Sequence, residues 1–262
     1  MNPLKFEKPL IMAHRGFQTQ YPENTMVSFM AAVRVGAQFL ELDVTFTRDR
    51  QIVVIHDPTV DRTTNGVGSV HSYSLNELRQ LDAGSWFHPR FAGEQIPTLD
   101  EVLEQFAGKV YLNLEIKSHD HTFRERPDQT EQAVVKLVGK KNKQAFVLIS
   151  SFDPVVLKNV KRLNPAINVA FISKQFRSGE TVALCKELEV FSYHPNLEYL
   201  EVEQVKTMHR DEIHVFPYNI NNAADIYRAF ALGIDGLIAK DPHLVRQCYF
   251  ESLNGTQNGV MT

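Results

Sequence analysis

The sequence predicts a (β/α)8 barrel of the TIM type, carrying an early β-hairpin and a small insertion after His56. Short β-type runs alternate with amphipathic helical ones over most of the chain, as a parallel sheet with crossover helices requires. About eight such repeats are present, the number that closes a barrel. No Gly-x-Gly-x-x-Gly follows the first strand, which counts against the runner-up, a doubly wound open sheet. The 262 residues suit one catalytic barrel domain over 1–262, with 57–97 as an insertion too small to fold alone.

The strands are predicted at 10–14, 39–44, 52–56, 110–116, 145–150, 168–172, 190–193, 213–217 and 234–238. Three helix starts are marked: Asn24 before Met26 and Val27, Thr98 with Glu101 three residues on, and Asp153 followed by Pro154. Gly36 and Gly233 supply stops. Between Val44 and Ile52 there is room only for a tight turn, so those strands form an antiparallel hairpin. The insertion reads as turns, a short helix near 74–81 and the aromatics Trp86, Phe87 and Phe91; the tail after Asn254 reads as frayed.

Composition narrows the function classes. Apolar residues at 43%, charged ones at 23% and a formal charge of −3 describe a soluble globular protein with no general pull toward nucleic acid. No run is long enough for a membrane span, and no long apolar segment stands before the first strand, so a cytoplasmic enzyme is expected. Cys185 and Cys248 have neither disulfide nor zinc spacing and read as packing residues.

Chemistry enters at the hairpin. The two-residue period of Phe39 to Val44 puts Glu41 and Asp43 on one face and Leu40, Leu42 and Val44 on the other. In a barrel the aliphatic set faces the helices and the carboxylates point inward. A two- or four-residue turn centred on Asp49 and Arg50 then sets His56 opposite Asp43. The strand Val110 to Lys117 repeats the pattern, with Asn113, Glu115 and Lys117 inward. Buried unpaired charges cost several kcal/mol, so these need partners: a Lys117–Glu115 ion pair, a wet strand end, or a ligand. Taken together, Glu41, Asp43 and Glu115 form a trio of hard oxygen ligands for one divalent cation, Mg2+ or Ca2+. The first strand ends on His14 and Arg15, at the end of a barrel strand where active sites collect, and Gly16 lets the backbone turn away. Three carboxylates set against a divalent cation, Arg15 and Lys117 leave one positive charge in excess. A phosphodiester supplies the missing negative charge.

The motifs His14-Arg15-Gly16, Pro22-Glu23-Asn24-Thr25, Glu41-Leu42-Asp43, Val54-Ile55-His56-Asp57, Asp61-Arg62-Thr63-Thr64-Asn65-Gly66 and Asn113-Leu114-Glu115-Ile116-Lys117 resemble, in order, those of the glycerophosphodiester phosphodiesterase family. Gly233 to Ile238 resembles that family's closing strand. The resemblance implies metal-dependent hydrolysis of a small-molecule glycerophosphodiester to glycerol 3-phosphate and an alcohol, with paired catalytic histidines. Two departures lie late in the chain: Phe216-Pro217-Tyr218-Asn219 stands where the family often has Trp-Thr-Val-Asn, and Ala239-Lys240 where it commonly has Thr-Asp. Phe216 and Tyr218 are substrate-binding candidates on the glycerol side, with barrel core as the alternative; Phe152 carries the same two readings.

In-line attack on a phosphodiester needs a base and an acid on opposite sides of phosphorus, which His14 and His56 can supply. An acidic strand beside His56 favours it as the acid. Attack by water and closure to a cyclic phosphate are both compatible with these residues. Related readings are a phospholipase- or lyase-type phosphodiesterase, a metal-dependent isomerase and a non-catalytic phosphate-binding barrel. The last would expect losses among the two histidines and three acids, and all five are present. The remaining histidines, His71, His88, His119, His121, His194, His209, His214 and His243, read as surface or satisfied residues.

Overall fold

The computed structural model describes residues 9–117 and 130–257. His119 and His121 therefore lie outside the described residues. Eight parallel strands form the sheet: β1 (Leu10–His14), β2 (Phe39–Phe46), β4 (Tyr111–Ile116), β5 (Val147–Ser151), β6 (Asn168–Ser173), β7 (Ser192–Pro195), β8 (His214–Val215) and β9 (Gly236–Ala239). They run β8-β7-β6-β5-β4-β2-β1-β9, and β3 (Ile52–Val54) pairs antiparallel with β2 outside the barrel path. The β8–β9 seam is drawn together by Asp235 N–H donating to Val215 O (3.1 Å) and Ile238 N–H donating to Pro217 O (2.9 Å). Pro217 has no N–H to give, so the strand beyond β8 pairs by single bonds rather than a full ladder. The predicted barrel is thus the observed one.

Side chains sort by the period of two. Leu40, Leu42, Leu112, Leu114 and Ile149 join the outer core under the helices, while Leu10, Met12, Phe39, Leu148, Ala170, Phe216 and Ile238 pack inside. His14 therefore continues the inward face of Leu10 and Met12. Phe216 is fully buried, set edge-to-face against Phe39 with ring centroids 6.0 Å apart. Its room comes from Gly236, where a Cβ would sit 2.4 Å from the Phe216 ring.

Helix α1 (Met26–Arg34) is capped by Thr25, whose side chain accepts from Ser28 N–H, and not by Asn24 as predicted. Asn24 instead takes φ +55 and turns its amide into the barrel mouth. Helices α2 (Leu75–Leu78) and α3 (Leu99–Phe106) begin with capping boxes, Ser74 with Glu77 and Thr98 with Glu101. The remaining helices are α4 (Thr130–Lys140), α5 (Pro154–Leu163, capped by Asp153), α6 (Ser178–Glu187), α7 (Val202–Arg210), α8 (Ala223–Ala231) and α9 (Pro242–Gln257). Helix α9 carries the chain through Asn254 to Gln257, and the rest of the tail predicted to fray lies outside the described residues. Among the described residues no helix is long and apolar enough to cross a membrane.

The hairpin corrects one expectation. Thr47 N–H donates to Gln51 O, leaving a three-residue loop with Arg50 at φ +63. This loop class fixes the pairs Val44↔Val54 and Thr45↔Val53, one residue away from the expected register. Ile55, and not His56, lies across from Asp43, its N–H donating to Asp43 O at 3.1 Å. The excursion after the hairpin has its own small apolar cluster, built on Val53, Ile55, Val60, Val70, Leu78 and Ile96.

Candidate active site

At the carboxyl ends of β1, β2 and β4 a cavity of about 180 Å3 opens, lined by His14, Arg15, Glu41, His56, Asn113 and Glu115. Phe152, Tyr218 and Asn219 form its opposite rim. His56 reaches it although the register differs, because the ladder ends at Val54 and the chain bends at His56. Lys117 Nζ pins that bend by donating to His56 O at 2.9 Å.

Glu41, Asp43 and Glu115 each offer an oxygen within 4.8 Å of the others. Parallel pairing of β2 and β4 does this, since Asp43 aligns with Glu115 and Glu41 with Asn113. Burial raises the Glu41 carboxyl well above its ordinary value, helped by repulsion from Asp43 and Glu115. Glu115 is pushed up to about 7 by burial and by Asp43. At Asp43 burial also raises the pKa, but Lys117, Arg15 and His56 outweigh it and hold the group at about 2. Lys117 pairs with Asp43 (Nζ to Oδ1, 3.1 Å), so among the offered partners it chose Asp43 and not Glu115. Glu41 Oε1 is buried and has no hydrogen-bond donor among the described residues. Clustered acids that raise one another's pKa, with a buried oxygen left bare, fit a hard divalent cation.

Arg15 sits at φ +54 and Gly16 at φ +84, two consecutive left-handed residues. The left-handed turn at a non-glycine residue is strained, and it aims the Arg15 N–H at Glu41 Oε2, 2.9 Å away. The guanidinium bonds Glu23 Oε1 at 2.9 Å and approaches Asp43 Oδ2 at 3.4 Å. Gly16 admits no side chain, because a Cβ there would lie 2.4 Å from Ser28 Oγ.

Each histidine is held from behind. Gln18 Nε2 lies 2.6 Å from His14 Nδ1 and donates to His14 O, leaving Nε2 on the side of Glu41. Asp57 Oδ1 lies 2.5 Å from His56 Nδ1. Burial, with Arg15 adding to it, lowers His14 to about 3; burial lowers His56 as well, opposed by Asp43.

Several residues at the site were not singled out by the sequence. Asn24 donates to Asp43 Oδ2 at 2.9 Å, and Glu23, Asp57 and Arg62 form an ion-pair chain behind the histidine and arginine. All four sit in the quoted motifs, which was the available signal. His194, read as surface or satisfied, is fully buried on β7 against the cavity floor; its Nε2 meets Ser192 Oγ at 2.8 Å while its Nδ1 has no partner among the described residues. Of the two aromatics, Tyr218 reaches the cavity rim, 6.2 Å edge-to-face from Phe152. Phe216 takes the core alternative and does not line the cavity. His209 and His214 are satisfied by Asp235, at 2.8 and 3.2 Å.

A model of the glycerophosphoryl diester phosphodiesterase family matches residues 14–244. The glycerophosphodiester phosphodiesterase of Caldanaerobacter subterraneus subsp. tengcongensis is 38% identical over 238 residues, covering 90% of this chain and 95% of the relative. One from Bacillus subtilis is 33% identical over 259 residues, covering 93% and 87%. The structure of an Oleispira antarctica phosphodiesterase in complex with the product sn-glycerol-3-phosphate aligns with a TM-score of 0.82 at 29% identity, over 92% of this chain and 96% of that one. With a matched segment that runs from the first strand into the last helix, this chain belongs to the glycerophosphoryl diester phosphodiesterase family.

Proposed function

We propose that this chain, acting as one catalytic barrel domain with 57–97 inserted in it, hydrolyses glycerophosphodiesters to sn-glycerol 3-phosphate and an alcohol. The observation that carries the reading is that His14 and His56, each oriented through Nδ1, open onto the same cavity as the three-carboxylate cluster. Glu41, Asp43 and Glu115 would hold a divalent cation, Mg2+ or Ca2+. Bound there, such an ion supplies positive charge to the phosphate oxygens as a Lewis acid. Arg15 presents a planar fork to the same oxygens, and Lys117 a point charge.

Proton transfer falls to the histidines. Asp57 at Nδ1 stabilises an imidazolium on His56, which suits that residue to protonate the leaving alcohol. His14, with Nδ1 turned to Gln18 and Nε2 on the Glu41 side of the cavity, is placed to accept a proton from the attacking group, water or the neighbouring glycerol hydroxyl. Tyr218 and Phe152 line the cavity as candidates for the glycerol side.

The purified protein, given glycerophosphocholine, glycerophosphoethanolamine or glycerophosphoglycerol with Mg2+ or Ca2+, is expected to release glycerol 3-phosphate. Release should stop on chelation and return with added metal. Turnover unchanged after exhaustive chelation would remove the metal from the reading, and no turnover of any of the three diesters would remove the activity.

A further inference from the structure

Arg62, in the excursion between the hairpin and α3, bonds both of the carboxylates that stand behind His56 and Arg15. Its Nε and Nη2 reach Asp57 Oδ2 and Oδ1 at 2.6 and 3.1 Å. Its Nη1 and Nη2 reach Glu23 Oε2 and Oε1 at 2.9 and 2.8 Å. Asp57 in turn meets His56 Nδ1 at 2.5 Å, and Glu23 Oε1 accepts from Arg15 Nη1 at 2.9 Å. One guanidinium thus joins the carboxylate behind the histidine to the carboxylate behind the phosphate-facing arginine.

We propose that Arg62 is a positioning residue that sets His56 through Asp57 and Arg15 through Glu23, which makes the excursion part of the catalytic machinery. The inference rests on the phosphodiesterase reading for its kinetic consequences but not for its geometry.

The arrangement does more than tie down a loop. The Arg62 side chain is 43% exposed, and ion pairs of that kind add little to stability. Glu23 is the deeper group, with a side chain 8% exposed, and its two oxygens are shared between Arg15 and Arg62. Without Arg62, both Glu23 oxygens would compete for Arg15 and draw its guanidinium from the cavity. Asp57 would likewise lose the donors that hold its carboxylate in line with the His56 ring. A flexible ammonium cannot replace this, because two carboxylates are bridged by one planar fork.

The structure leads to paired expectations for Arg62→Gln. Thermal stability should be nearly unchanged. The turnover number should fall by up to ~10²-fold, the scale on which a small misplacement of a reacting group acts, and KM should rise. The two losses should separate in double variants: no further fall in kcat when His56 is already Ala, and no further rise in KM when Arg15 is already Ala. An equal fall in kcat with and without His56 would overturn the proposal, as would unchanged kinetics.

A readout independent of turnover is the His56 ring itself. By 15N-imidazole NMR, the hydrogen-bonded Nδ1–H of the parent protein should show a downfield proton that is lost or moved in Arg62→Gln and equally in Arg62→Lys, which keeps the charge but not the fork. A His56 spectrum identical in all three proteins would overturn positioning even if no diester were turned over. Should Arg62→Gln fail to fold, the comparison is carried by Arg62→Lys.

Discussion

At the level of single residues, burial decides what the polar groups of the barrel mouth can do. His194 shows this apart from catalysis. Fully buried, it has its protonation driven down to about 3 by loss of solvation. The unfolded chain binds that proton near the ordinary histidine value of 6.5, and the folded chain does not until far lower pH. The unfolded state therefore holds more protons between those values, and stability is complete above about 6.5 and falls as the pH drops. A single such group contributes a slope of up to ~1.4 kcal/mol per pH unit. Denaturant titrations at pH 7 and pH 5 should show a smaller acid loss in His194→Gln than in the parent. An identical loss in both would mean that His194 is protonated in the folded protein.

At the level of elements, the turn after β1 joins strand end to helix start. Gly16 carries φ +84, and a Cβ there would meet Ser28 Oγ at 2.4 Å and the Ser28 carbonyl carbon at 2.9 Å. Gly16→Ala thus meets both backbone strain and a backbone clash with α1, a combined cost of roughly 2–4 kcal/mol. Gly68 is the control: its φ is +108, but nothing lies within 4 Å of the place a Cβ would take. Gly68→Ala should cost only its backbone strain, about 1 kcal/mol. Equal unfolding midpoints for the two variants would show that the Ser28 contact yields freely.

For the molecule as a whole, two strands adjacent in the sheet but some seventy residues apart in the chain bring three acids together. Their mutual repulsion is a cost that the folded protein carries unless a cation offsets it. An ion that binds only the folded state stabilises it by about 2.7 kcal/mol at one hundred times its Kd. Added Mg2+ or Ca2+ should therefore raise the melting temperature. Glu115→Gln should behave oppositely in two respects: more stable than the parent in chelator, and insensitive to added metal. A melting temperature that ignores metal in the parent protein would contradict the site.

Much of this was legible in the chain. Alternating β and α runs, the in-out pattern of Glu41 and Asp43, and the caps at Thr98 and Asp153 are local, because a period of two or a capping box needs only neighbouring residues. The same holds for the strand end at His14, Arg15 and Gly16, where the polar pair and the glycine announce a turn at a working end of the barrel. The sequence by itself determined the barrel and the shared inward face of Glu41 and Asp43.

Only the tertiary structure decided the rest, wherever the outcome depended on one residue of register or on which of several partners was nearer. The three-residue loop with Arg50 at φ +63 moved His56 off the ladder, and the bend behind it restored the ring to the cavity. Lys117 chose Asp43 among the nearby acids, Asn24 gave up the helix cap to serve Asp43, and Phe216 sank into the space left by Gly236. His194 passed from a bystander to the cavity floor for the same reason. Through-space packing among β1, β2, β7 and the excursion sets these contacts, and no periodicity along the chain encodes distances between segments so far apart.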